Sequence, residues 1–381
     1  MASEPRPERN SSARLPAGAD PRETGAAALD ATFRRPANDG RTFTLEALAE
    51  IARATMREPA RPVPIETDPA AQRTGVQQPP VSAGMNRLPH YREAGTGPFV
   101  LCIHSFSSSS AQYQGLMQRL APRFRVVAAD LYGHGRTPSW LGERRFTLAD
   151  EAAPLEALLP DDAPVHLVGH SYGAAVALRI AGANRARVRS MTLYEPTMWG
   201  TLSHLCPSDP ATREIEAVRD ETIQLIDSGR LEAATERFID YWAGPGSWAA
   251  VPGERRPRLV ASVRSLRAAW KATFVERWSA DALRALDIPC LLISGTRTTA
   301  AARRAIGLLR DTLPAATAVE FEGLGHLAPI THSERVDAAI DAFLSSPIRN
   351  APAVAGQGAV TPHPVRHQSI SIHHQENPRE S

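Results

Sequence analysis

The chain is short of the groups that staple small folds or build metal sites. It has three cysteines, Cys102, Cys206 and Cys290, in 381 residues. The number is odd and no pair has C-x-x-C spacing, which argues against a disulfide framework and against a cysteine zinc site. Cys102 and Cys290 stand inside apolar runs and are expected to be buried free thiols. An excess of one charge is also lacking. The 43 basic residues are set against 41 acidic ones, a net charge of +2, so composition gives no ground for a nucleic-acid or membrane partner. Lysine is nearly absent: Lys271 is the single one, and the rest of the basic residues are arginine, a bias that matches genomic base composition and carries no functional message. There is no run of about 18 apolar residues, so no transmembrane helix is expected. Met1 to Asn10 is polar and lacks the apolar segment of a secretory leader. A cytoplasmic location is the default expectation.

What is present divides into three parts. Residues 1–84 are rich in Pro, Arg and polar side chains and poor in aromatics, a composition that buries too little surface to fold alone. They are expected to form a disordered arm. Within it Thr44–Met56 has Leu45, Leu48, Ile51 and Ala52 at helical spacing behind Thr44 as N-cap. It reads either as a marginal helix in that arm or as an amphipathic segment that docks. Residues 347–381 are polar again and expected to be a solvated tail, its His363, His367, His373 and His374 included.

Residues 85–346 alternate short apolar strands with helices. Strands are predicted at Leu88–Arg92, Phe99–His104, Arg125–Ala129, Val165–Val168, Ser190–Tyr194, Cys290–Ser294 and Ala318–Phe321. Helices are predicted at Gln112–Leu120, Leu148–Leu159, Tyr172–Ala183, Ala300–Leu309 and Glu334–Leu344. This pattern predicts an α/β fold, a mostly parallel central sheet with helices on both faces. The alternation breaks once. Residues 196–286 read as almost wholly helical and hold all but one of the six tryptophans. An insertion of this kind sits on one edge or face of the sheet and is expected to act as a helical cap over a pocket. Most of its tryptophans are expected to fill the cap's own core, with one or two facing a ligand.

The segment Val165–Val168 runs into Gly169–His170–Ser171–Tyr172–Gly173 and then an Ala-rich helix. Serine is a weak nucleophile until a base takes its proton and its Oγ is exposed. A sharp strand-to-helix turn exposes it, and glycines two residues to either side let strand and helix approach closely. The helix start adds N–H groups and partial positive charge. The competing reading is a serine cap in an inert loop.

Three other segments carry a pattern: Asp130–Leu–Tyr–Gly–His–Gly–Arg136 with Thr137, Gly323–Leu–Gly–His326, and Cys102–Ile–His104–Ser105. Together with G-x-S-x-G and the helical insertion, they resemble the α/β-hydrolase superfamily, its capped serine hydrolases in particular, over roughly residues 85–346. The resemblance implies the α/β-hydrolase fold with the cap after the family's sixth strand, here Ser190–Tyr194. It makes Ser171 the nucleophile and His326 the general base, imidazole being suited because it titrates near neutrality. It assigns oxyanion-hole N–H groups to Tyr172 and Phe106, and places His104, Ser105 and His170 beside substrate. Ser105 stands where the family has Gly. Asp130 is implied to be structural.

The acid is displaced. Family members carry it as G-x-x-D after the seventh strand, and here that loop reads Gly295–Thr–Arg–Thr298. Glu195, at the end of Ser190–Tyr194, is the substitute, and the chain order Ser171, Glu195, His326 fits. The alternative is that Glu195 merely begins the cap and no acid is present. Two functions follow: a cofactor-independent, metal-free serine hydrolase (a carboxylic-ester hydrolase first) acting on a small or medium ester-like molecule through an acyl-enzyme, or a degenerate relative that binds a ligand or partner with little or no turnover.

Overall fold

A computed structural model of the protein describes residues 88–142 and 145–346. The expectations for residues 1–84, the Thr44–Met56 helix included, and for residues 347–381 lie outside the described residues.

Seven strands form one sheet: β1 (Tyr91–Ala94), β2 (Phe99–Ile103), β3 (Arg125–Ala129), β4 (Val165–His170), β5 (Val188–Tyr194), β6 (Cys290–Gly295) and β7 (Ala316–Phe321). Their order is β1-β3-β2-β4-β5-β6-β7. All neighbours are parallel except the edge pair β1–β3. The first strand starts later than predicted. Pro89 has no N–H to give, and the His90 N–H bonds Thr137 Oγ1 at 2.9 Å instead of a ladder partner.

β2, β4 and β6 are buried along their whole length, so they read as continuous apolar runs. Successive side chains still point to opposite faces. Leu101, Ile103, Val127 and Leu167 enter one core, with α2 (Leu148–Glu156), α3 (Tyr172–Ala183) and α9 (Ala300–Thr312). Val100, Cys102, Val126 and Val168 enter the other, with α1 (Gln114–Leu120) and α11 (Ser333–Ser345). Thr147 and Asp150 close a reciprocal capping box that starts α2.

Between β5 and β6 the chain is helical, as the sequence predicts: α4 (Trp199–Leu205), α5 (Pro210–Asp227), α6 (Leu231–Ala243), α7 (Arg256–Val275) and α8 (Ala280–Arg284). A last short helix, α10 (Ala328–Thr331), follows β7. Among the described residues, no helix is long and apolar enough to cross a membrane.

The order creates a switch point. From β2 the chain turns outward to β3, then returns past β2 to β4, so the carboxyl ends of β2 and β4 are neighbours from which the connections diverge. Register brings Ile103 opposite Gly169, His170 opposite Tyr194, Tyr194 opposite Ile293 and Gly295 opposite Phe321. The loops that follow these pairs carry His104, Ser171, Glu195, Thr298 and His326. All meet at one edge of the sheet.

Candidate active site

Ser171 is the hinge between β4 and α3, with φ 57° and ψ −116°. Its N–H reaches across to the Tyr194 carbonyl at 2.8 Å, which fixes the turn to β5. A Cβ on Gly173 would overlap the carbonyl oxygens of Ile103 and His104, so only glycine lets the start of α3 lie against the end of β2. Among the described residues three non-glycines have positive φ: Ser107, Ser171 and Glu195. All three lie in turns at this edge, where strained backbone is held in place by the surrounding structure.

Glu195 is fully buried and His326 is 3% exposed. His326 Nε2 is 2.8 Å from Ser171 Oγ, and its Nδ1 is 2.7 Å from Glu195 Oε2. Glu195 also accepts the Gly295 N–H at 2.9 Å and the Thr298 hydroxyl at 2.6 Å. Both come from the loop that lacks the expected Asp. A side chain meeting donors on both oxygens serves as the acceptor-only carboxylate. Nδ1 of His326 then carries the hydrogen, leaving Nε2 to accept from Ser171.

The loop that presents His326 is pinned from three sides. Tyr194 Oη donates to the Gly325 carbonyl at 2.8 Å, and His170 Nε2 donates to the His326 carbonyl at 2.8 Å. On the third side Trp242 stacks on the imidazole with ring centroids 4.1 Å apart and planes at 27°. Trp199 stacks in turn on Trp242 at 5.9 Å.

His104, Ser105 and His170 were expected beside substrate. None of them lines the cavity over Ser171, and their side chains are bonded into the scaffold. His104 Nε2 accepts the Leu131 N–H at 3.0 Å and its Nδ1 donates to the Ser105 carbonyl at 2.7 Å. Burial, with His134 nearby, pushes its pKa down to about 3, so it stays neutral. The N–H and hydroxyl of Ser105 both donate to Gln112 Oε1, and the Gln112 amide donates to His170 Nδ1 at 3.2 Å. Burial and the neighbouring His326 hold His170 well below the ordinary histidine range. Gln112 thus ties the loop after β2 to the carbonyl behind His326. The sequence marked it only as the start of a helix. Asp130 is structural as expected: it accepts the N–H groups of Ser110 and Arg136 and meets His90 Nδ1 at 2.8 Å.

Phe106 and Tyr172 line the cavity on either side of Ser171, with ring centroids 6.2 Å apart. Tyr172 opens α3, where backbone N–H groups have no partner inside the helix. Its hydroxyl donates to Glu151 Oε2 at 3.0 Å, while Glu151 Oε1 accepts the Tyr132 N–H at 2.9 Å. Burial pushes the Glu151 carboxyl up to about 7 against the pull of these two bonds. No motif pointed to Glu151, since a carboxylate on an amphipathic helix reads as solvated.

The cavity, about 30 Å³ and open to solvent, lies between Ser171 and helices α4, α6 and α7. Trp199, Trp242 and Trp270 all line it, one tryptophan more than expected, because three helices of the insertion converge there. Trp278 packs over Gly182 of α3 instead. Among the described residues, no cluster of His, Cys, Asp and Glu has a metal-holding arrangement.

Residues 100–339 match the model of the Alpha/beta hydrolase family. The chain is 30% identical over 276 residues to a pimeloyl-[acyl-carrier protein] methyl ester esterase of Methylococcus capsulatus, covering 66% of this chain and 97% of that protein. It is 27% identical over 259 residues to the esterase of the same name from Aeromonas hydrophila, covering 66% and 96%. Among solved structures, the enol-lactonase from Burkholderia xenovorans LB400 superposes with a TM-score of 0.53 at 19% identity, covering 68% of this chain and 96% of that one. That likeness is one of fold. With more than half its length matched by the family model and the sheet order and turn described above, the chain belongs to the alpha/beta hydrolase family.

Proposed function

We propose that the protein is a cofactor-independent serine hydrolase that cleaves a small or medium-sized ester-like substrate through an acyl-enzyme on Ser171. One observation carries this reading: the continuous chain from Ser171 Oγ through both nitrogens of His326 to Glu195. In the first step Ser171 Oγ bonds the ester carbonyl carbon and its proton passes to His326 Nε2. The carbonyl oxygen becomes an oxyanion facing the N–H groups of Tyr172 and Phe106. The carbon–alkoxy bond then breaks and the leaving oxygen takes the proton from His326. Water enters, gives its proton to Nε2 and attacks the acyl carbon. The acid departs, and Ser171 recovers its proton. Glu195 holds the imidazole in the required tautomer and stabilises the imidazolium formed in both half-reactions. The inserted helices act as a cap that shields these steps from bulk water. The esterase names of the two curated relatives support this class of chemistry.

The test is labelling of the full chain with a fluorophosphonate probe. Wild type is expected to label at Ser171, and Ser171→Ala and His326→Ala not to. A folded wild-type chain that fails to label is a ligand-binding relative without turnover.

A further inference from the structure

The wall of the cavity is uniform in chemistry. Phe106, Tyr172, Trp199, Phe238, Trp242 and Trp270 supply its rings, and no Asp, Glu, Lys, Arg or His is among the lining residues. The nearby acids face elsewhere: Glu195 is bonded to His326 and Glu151 to Tyr172. A carboxylate entering this space sheds water without meeting a cation, and the negative faces of the rings oppose it further. An ammonium gains from those faces but finds no carboxylate among the lining groups. The rings already meet edge to face: Phe238 lies 5.9 Å from Phe106 and 6.5 Å from Trp270. A planar apolar guest continues this packing. The cavity is narrow, about 30 Å³, and opens to solvent, so it favours a compact guest.

Two polar groups of the wall are left without a partner among the described residues. Thr197 Oγ1 and Trp270 Nε1 belong to lining residues, are buried and have no hydrogen-bond partner among the described residues. Buried donors are nearly always bonded, and an indole N–H can only donate. A ligand that brings an acceptor restores the missing bond.

We infer that the substrate is a compact, uncharged ester carrying an aromatic ring, with a hydrogen-bond acceptor on that ring that takes the Trp270 N–H. This rests on the serine-hydrolase reading above and narrows its substrate class. Hydrolysis adds one water across the acyl–oxygen bond and yields the carboxylic acid and the alcohol.

The experiment compares kcat/KM of the full chain, first shown to label at Ser171, on methyl 4-methoxybenzoate, methyl benzoate, methyl hexanoate, monomethyl pimelate and benzoylcholine. The methoxy ester is expected to lead, by about tenfold or more over the anionic pimelate and the cationic choline ester. The Trp270→Phe variant is expected to bring the ratio of methoxybenzoate to benzoate close to one. Turnover of monomethyl pimelate or benzoylcholine equal to or above that of the neutral aromatic esters overturns the inference. So does labelling at Ser171 with no hydrolysis of either neutral aromatic ester. An unaltered ratio in Trp270→Phe removes the donor from the account. Failure to label removes the hydrolase reading itself, and the inference with it.

Discussion

Thr298 Oγ1 donates a hydrogen bond of 2.6 Å to Glu195 Oε2, the same oxygen that faces His326 Nδ1. Thr298 is the fourth residue of Gly295–Thr–Arg–Thr298, the position at which the resembling G-x-x-D pattern carries its acid. Two loops therefore meet at one point. In this chain the carboxylate comes from the end of β5, and the loop after β6 contributes a hydroxyl and the Gly295 N–H that hold it.

If Glu195 is the acid, Glu195→Gln lowers kcat by about 10³–10⁴-fold, through loss of the tautomer and of imidazolium stabilisation, while the circular-dichroism spectrum is retained. Adding Thr298→Asp to that variant returns a carboxylate beside Nδ1 and recovers at least about tenfold of the loss. Steady-state kinetics on one ester decides both. Unchanged turnover in Glu195→Gln removes Glu195 from the mechanism.

Gly173→Ala forces a methyl group into the carbonyl oxygens of Ile103 and His104. The expected cost is about 1–3 kcal/mol in urea denaturation. The displaced α3 start also slows fluorophosphonate labelling, since Tyr172 and the Phe106 loop part company. Wild-type stability and labelling rate together would show that the close approach is dispensable.

Glu151 sets a pH dependence with a definite sign. Its carboxyl ionises at about 7 in the fold against an ordinary 4.5. Between those values the folded chain keeps a proton that the unfolded chain has lost, so stability falls as pH rises from about 4.5 to about 7 and stays lowered above. Asp337, raised by burial to about 7, adds a fall of the same sign. Glu151→Gln removes one part of it, because an amide accepts from Tyr132 and donates to Tyr172 at every pH. The Tm of the variant minus that of wild type should increase from pH 4.5 to pH 8 by calorimetry. A constant difference sinks the assignment.

Cys102 and Cys290 are fully buried, and burial pushes both thiols far up. Cys206 is half-buried beside Arg304, which donates to its sulfur. A disulfide reagent is therefore expected to modify at most Cys206 in the native chain and all three cysteines after unfolding. Rapid native modification of Cys102 or Cys290 would mean that the sheet opens.

The sheet was legible in the sequence because β2, β4 and β6 are buried on both faces and read as unbroken apolar runs. Ser171 was legible because its turn needs glycines at set offsets from it. Glu195 followed from the resemblance, which leaves the loop after β6 without its acid and points to the carboxylate at the end of the neighbouring β5. Gln112, Glu151 and Trp242 were not legible. Their partners lie far off in sequence, at His170, Tyr172 and His326, and a lone Gln, Glu or Trp at helical spacing carries no sign of which side chain it will touch. The edge strand slipped because Leu88 and Tyr91 look strand-like in composition, while Pro89 has no N–H to give and the His90 N–H is claimed by Thr137.

The stack of Trp242 on His326 joins two stretches of chain that lie far apart in sequence. Trp242 belongs to the insertion, whereas His326 belongs to the last loop of the sheet. The insertion is therefore not a detachable roof: it supplies one face of the His326 environment. The helices that shape the cavity and the loop that presents His326 are thus one packed unit.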